Sequence, residues 1–132
     1  MENGKQKSEK QGRLSLEFRD RIKRYASQII QLFVKLPKAR EEVRVLGRQL
    51  LRSGTSVAAH LREAARARSD TEFLSKVGGA IQEADESVLW LELRREDCGI
   101  SANLTEPLEK ESSELMAILT TMINRTKQRG AR

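Results

Sequence analysis

Residues 50–64 read LLRSGTSVAAHLREA. Ser53, Val57, Leu61 and Ala64 recur every three or four positions, the spacing of a helix face turned toward a core. The centre of that face is small and polar: Ser53, Gly54, Thr55 and Ser56, directly after Arg52. A helix that only filled a core would carry larger apolar side chains there. Small residues let a neighbouring helix approach, and Ser or Thr in a helix can bond a carbonyl of the preceding turn. An arginine in such a segment calls for an acidic partner. The stretch therefore predicts a closely packed helix lying against a helix that carries carboxylates.

Working outward, the seam runs back through Val43, Leu46 and Leu50, giving a helix over about 38–67. Before it, Phe18, Ile22, Tyr25, Ile29, Leu32 and Leu36 repeat at spacings of four and three and predict a helix over about 15–36, closed by Pro37. After it, Ser69 and Glu72 form an S-x-x-E pattern ahead of Phe73, the signature of a capped helix start. Phe73, Val77, Ala80, Ala84, Val88 and Leu91 then carry a helix over about 70–97, which Gly99 should stop. A last helix over about 104–126 follows from Leu104, Leu108, Glu111, Leu115, Ile118 and Met122, with Pro107 expected in its first turn. Short connections make successive helices antiparallel neighbours. The expected fold is all-α: an antiparallel up-down-up-down four-helix bundle over 14–126, between a basic N-terminal tail (1–13) and a basic C-terminal tail (127–132).

Composition agrees. Of 132 residues 33% are charged and 4% aromatic, with two prolines, as suits helices with charged outer faces. No apolar run is long enough to span a membrane, and the first residues lack the apolar segment of a signal peptide. A single cysteine, Cys98, makes no internal disulfide and fits a reducing cytoplasm. The net charge of +6 is unevenly placed. Residues 14–68 hold thirteen Lys/Arg against five Asp/Glu, whereas 69–124 hold four against twelve. Both tails are basic. Such a split can attract phosphate, pair within the fold, or pair between copies of it.

A second stripe flanks the seams, including Gly47, Leu51, Gly54 and Ala58 on the second helix and Leu74, Gly78 and Ile81 on the third. Glycine inside a helix costs about 0.5–1 kcal/mol relative to alanine. Gly47, Gly54, Gly78 and Gly79 therefore mark either close packing within one bundle or contact between bundles, and the charge split favours self-association. Antiparallel pairing of the second and third helices places Arg52 opposite Asp85 and Glu86, Ser56 opposite Ile81, and Glu63 near Lys76. An ion pair between Arg52 and the acidic cluster is expected, worth about 3–5 kcal/mol on losing one partner if the site is dry.

Catalytic chemistry is not legible. His60 is the one histidine, and no second His accompanies Glu63 as a di-iron bundle would require. Glu83, Asp85 and Glu86 read as solvated or arginine-paired acids, not as metal ligands. No catalytic triad, Cys-His pair or phosphate loop is present. A non-enzyme without metal or cofactor is expected; a metal-dependent bundle enzyme is the weakest alternative.

The run from Leu51 to Glu96, LRSGTSVAAHLREAARARSDTEFLSKVGGAIQEADESVLWLELRRE, resembles the four-helix-bundle family of 23S rRNA intervening-sequence proteins, whose superfamily includes the accessory variability determinant (Avd) of diversity-generating retroelements. The residues that carry it are Arg52-Ser53, Ser56, Glu63, the S-x-x-E-F of Ser69 to Phe73, Glu83, Glu86 and the aromatic-Leu-Glu-Leu of Trp90 to Leu93. His60 and Ala64 depart from the usual asparagine and glycine. The resemblance implies a ring-shaped homopentamer and a nucleic-acid role, best understood in members that bind a reverse transcriptase and its RNA.

The leading expectation is thus an RNA-binding, self-associating accessory protein, in the form the resemblance implies an Avd-like partner of a diversity-generating retroelement reverse transcriptase. Its candidate contacts are Arg19, Arg21, Lys23, Arg24, Lys35, Lys38, Arg40, Arg44, Arg48, Arg62, Arg66 and Arg68, with the C-terminal Arg125, Lys127, Arg129 and Arg132 adding flexible ones. Scarce aromatics argue for contact with phosphate and shape over reading of single strands. The alternatives are an intervening-sequence protein of undefined role and a protein–protein adaptor that binds no nucleic acid.

Overall fold

The computed structural model describes residues 12–130 and contains four helices: α1 (Leu16–Lys35), α2 (Glu41–Ala65), α3 (Asp70–Asp97) and α4 (Ala102–Gly130). Ser15 starts α1 by accepting a hydrogen bond from the Phe18 N–H at 3.1 Å. Leu36 is extended ahead of Pro37, as a residue before proline prefers. The Lys38 ammonium then caps the helix end, donating to the carbonyls of Phe33 at 2.7 Å and Leu36 at 3.0 Å. Ser69 caps α3 as the sequence predicts, accepting from the Glu72 N–H at 3.0 Å, while the Glu72 carboxylate reaches back to the Arg68 N–H at 2.7 Å. Gly99 follows α3 at φ +70°, a conformation that costs glycine little.

Cross-helix contacts fix the antiparallel order. Lys76 pairs with Glu63 and Arg52 with Glu86 between α3 and α2, and Arg95 pairs with Glu109 between α3 and α4. Between α1 and α4, Arg21 grips Glu111 and Tyr25 meets Ser112. The core these contacts surround holds Ile22, Tyr25, Ile29 and Leu32 of α1, Val43, Leu50, Val57 and Leu61 of α2, Phe73, Val77, Ala80, Ala84 and Leu91 of α3, and Leu108, Leu115 and Leu119 of α4.

The seams of α1 and most of α3 match the sequence reading. That of α4 does not. Its buried positions are Thr105, Leu108, Ser112, Leu115, Leu119 and Thr126, so Glu111 and Ile118 give way to their C-terminal neighbours. The physical reason is on α1: Tyr25 brings a hydroxyl into the core that Ser112 can meet, and Arg21 holds the Glu111 carboxylate at the bundle edge. On α3, Ser87 replaces Val88 inside, and on α2, Gly47 replaces Leu46. Pro107 lies in the second turn of α4, not the first, because the helix begins at Ala102.

Both tail boundaries also shift. Helix α4 runs on through Gly130, so residues 127–130 are helical. The Arg13 N–H donates to the Ala65 carbonyl at 3.0 Å, which ties the start of the chain to the end of α2. Residues 1–11, and 131–132 with Arg132, lie outside the described residues.

The small, polar centre of α2 has its reasons in this packing. A Cβ on Gly54 would come within 2.8–2.9 Å of the Ile29 side chain, so glycine lets α1 lie close on α2. The Ser53 hydroxyl sits 2.7 Å from that of Ser87, and Tyr25 sits 2.7 Å from Ser112. Ser87 donates to the Glu83 carbonyl and Ser112 to the Leu108 carbonyl, which leaves Ser53 and Tyr25 as the donors across the helices, with the single Ser53 proton also within 3.3 Å reach of the Leu50 carbonyl. Four hydroxyls, one from each helix, thereby form a satisfied polar layer inside an aliphatic core. Burial raises the Tyr25 pKa, with its hydroxyl contacts partly offsetting the rise.

Candidate nucleic-acid interface

Two charged surfaces are built on this frame. The first is a ladder along the α2–α3 junction. Glu63 meets Lys76 at 3.0 Å, Arg52 bonds both Glu83 (3.3 Å) and Glu86, and the Trp90 indole N–H donates to the same Glu86 carboxylate at 3.2 Å. His60 Nε2 lies 4.0 Å from Glu83. The expected acidic partner of Arg52 is therefore Glu83 with Glu86; Asp85 points outward and is exposed. Because a helix advances about 100° per residue, Glu83 and Glu86 share a face that Asp85 leaves. The Arg52 side chain is 51% exposed, so the pair is wet and worth no more than about 1 kcal/mol, not the cost expected of a dry site.

The candidate interface residues split accordingly. Ser53, Gly47 and Gly54 are spent on packing within the bundle: a Cβ on Gly47 would meet the Arg94 guanidinium at 3.3 Å and Phe33 at 3.4 Å. Ser56 is half-buried. A Cβ on Gly78 would meet nothing within 4 Å, so bundle packing does not explain that glycine.

The second surface is cationic. A cleft of about 210 Å³ opens between α1 and α2, floored by Leu14, Ile22, Ala26, Ala58 and Leu61 and rimmed by Arg19, Lys23, Arg62 and Asp20. The same end of the bundle carries exposed Arg66 and Arg68 at the end of α2, and exposed Arg125, Lys127 and Arg129 in the last turns of α4. Asp70 shows that these ends converge. It bonds Arg13 at 2.6 Å, which lowers its carboxyl pKa, and Arg129 adds to that lowering. Lys23, Arg24, Arg62 and Arg66 make no ion pair among the described residues.

Other candidates are placed elsewhere. Arg21 is committed to Glu111 and Glu114, Arg40 to Glu42, and Lys38 to the α1 carbonyls. Lys35, Arg44 and Arg48 belong to the opposite end, with Lys35 and Arg48 exposed and Arg44 half-buried. The structure thus gathers the N-terminal cations of α1, the C-terminal ones of α2 and those of α4. Sequence reasoning missed Arg13, which it placed in a tail; the expected up-down-up-down order already put the ends of α2 and α4 together, but it stopped the last helix at 126, short of Lys127 and Arg129.

Residues 15–121 match the 23S rRNA-intervening sequence protein family. The chain belongs to that family. This intervening-sequence protein is also similar to a crystal structure of a protein with unknown function from the S23 ribosomal protein family of Bacteroides thetaiotaomicron, at 35% identity and a TM-score of 0.72, covering 80% of this chain and 96% of that one. No curated protein matches. The ladder residues Arg52, Glu63, Glu83, Glu86 and Trp90, which carried the resemblance in sequence, thus lie along one helix junction of the intervening-sequence protein. Among its described residues no group of three or more His, Cys, Asp or Glu is placed to hold a metal, and no helix is long and apolar enough to cross a membrane.

Proposed function

We propose that the protein is a non-enzymatic, self-associating RNA-binding accessory protein, whose RNA surface is the cationic end of the bundle. The observation that carries this reading is the convergence of Arg19, Lys23, Arg62, Arg66, Arg68, Arg125, Lys127 and Arg129 from three helices. Their spread suits the phosphates of a structured RNA, and the lack of exposed aromatic platforms among the described residues there suits shape over base reading. Self-association into a ring, a pentamer in the retroelement-type reading, draws support from exposed Ile30 and Val34 on α1, exposed Val45 on α2 and unexplained Gly78. An Avd-like partnership with a reverse transcriptase is the finer form of this proposal.

Fluorescence anisotropy with a structured RNA, repeated from about 50 to 200 mM salt, tests it. Six to ten phosphate contacts predict a loss of about 10³–10⁵ in affinity over that range. Arg62→Ala with Arg66→Ala should weaken binding and flatten the salt slope, while Arg48→Ala at the other end should not. Absence of binding at low salt would overturn the reading.

A second reading, a protein–protein adaptor, rests on the outer face of α3. There Leu89 is 45% exposed among Asp85, Glu92 and Glu96, an acidic surface with one apolar knob. It predicts binding to a basic partner that Leu89→Ser abolishes.

A further inference from the structure

Arg94 is 1% exposed, and among the described residues it is the largest fully buried side chain. Its Nε and Nη1 are enclosed and have no hydrogen-bond partner. No carboxylate among the described residues pairs with it. Glu109, the acid on the facing turn of α4, is taken by Arg95 at 3.0 Å. The guanidinium lies over Gly47, whose missing side chain leaves its place, and beside Phe33. Burial lowers the Arg94 pKa, and Cys98, a turn further along and itself buried, works against that lowering. A second polar group at this end of the bundle is orphaned as well. The Thr105 hydroxyl on α4 is fully buried and has no partner in hydrogen-bond geometry, although it lies close enough to Glu109 to help lower that carboxyl's pKa. The Arg95–Glu109 pair sets the α3–α4 register, so Arg94, Cys98 and Thr105 belong to the same end of the core.

A guanidinium stays protonated even when buried, and an unpaired buried charge is among the most costly features a core can hold. Water can satisfy its donors but brings no compensating charge. What the Arg94 guanidinium lacks is an anion with several acceptor atoms, and Thr105 holds an unused hydroxyl at the same end of the core. We propose that this end of the bundle is a receptor for a small oxyanion, inorganic phosphate or a short carboxylate, bound by Arg94 with Thr105 as a second donor. Charged Nε and Nη1 supply directed donors, and their enclosure beside Gly47 and Phe33 strengthens them by excluding water. The site lies at the end of the bundle opposite the RNA surface and is independent of it.

Thermal unfolding in increasing sodium phosphate, with ionic strength held constant by sodium chloride, tests it on the full chain. The wild type should show a saturable rise in Tm, as a ligand that binds only the folded state produces. Arg94→Leu should abolish that rise, and in phosphate-free buffer it should melt at or above the wild-type temperature because it removes an uncompensated charge. Sodium acetate in place of phosphate separates the two guests; an Arg94-dependent rise with either supports the site. Thr105→Val should shift the phosphate midpoint upward about tenfold, as for a lost hydrogen bond to a charged group. An equal rise in wild type and Arg94→Leu would place the effect on surface cations and overturn the proposal, as would no rise in the wild type with either anion. Should Arg94→Leu not fold, Arg94→Lys and Thr105→Val decide the question through their phosphate midpoints in ³¹P line-broadening titrations: weakened binding in both supports the site, and wild-type midpoints in both overturn it.

Discussion

The Ser53 hydroxyl lies 2.7 Å from the Ser87 hydroxyl, deep in the core and with neither residue exposed. Ser87 in turn donates to the Glu83 carbonyl, one turn back on its own helix. This pair joins α2 to α3 as Tyr25 and Ser112 join α1 to α4, and it explains why the centre of the best-packed helix is small and polar.

Breaking that pair tests the polar layer. Ser53→Ala removes one donor while Ser87 keeps its bond to Glu83, so the expected loss is about 1 kcal/mol in urea unfolding. Ser53→Ala and Ser87→Ala combined should cost less than the sum of the singles, because both delete the same bond. Strict additivity in that cycle would mean the two hydroxyls act independently.

Gly54 and Gly78 should respond oppositely to alanine. At Gly54 the new methyl meets Ile29 at 2.8–2.9 Å, so α1 must shift, at about 1–3 kcal/mol despite the better helix propensity. At Gly78 the methyl meets nothing within 4 Å, and about 0.5–1 kcal/mol of stability should be gained. Sedimentation of Gly78→Ala gives a second reading: a fall in assembly size would place this glycine at a contact between copies.

Arg52→Ala should shift the chemical denaturation midpoint little, by about 1 kcal/mol or less, because the pair faces water. A loss several times larger would mean that the junction is covered in the assembled protein.

Acid should act through Glu109. Its bond to Arg95 holds its carboxyl below the ordinary value of 4.5. A folded-state pKa below the unfolded one contributes stability that is present above about 4.5 and disappears as pH falls through the folded value. The gap in unfolding free energy between the wild type and Arg95→Ala should therefore be constant near neutrality and close on acidification below pH 4.5. A gap that persists once the carboxyl is fully protonated would assign the effect to packing of the arginine stem.

How much of this was legible beforehand follows from which forces act locally. Helix number, the Ser69 cap, the Gly99 stop and the α1 seam depend on neighbours three or four residues apart, and the sequence alone determined them. Antiparallel order follows from short connections, which is why Glu63 could be matched with Lys76. The choice of Ser112 over Glu111 and of Ser87 over Val88 could not be read in the same way, since it depends on hydroxyls arriving from other helices. Tertiary structure likewise decided the fates of the charges. Arg94, one of many arginines in the sequence, is buried without a partner because Gly47 on another helix leaves it room. Lys127 and Arg129 read as a loose tail, yet α4 continues through them and carries them, with Arg125, back beside the end of α2. Periodicity states which residues share a face of one helix; only the packing of four helices decides which face meets which, and whether a charge meets an acid, water or neither.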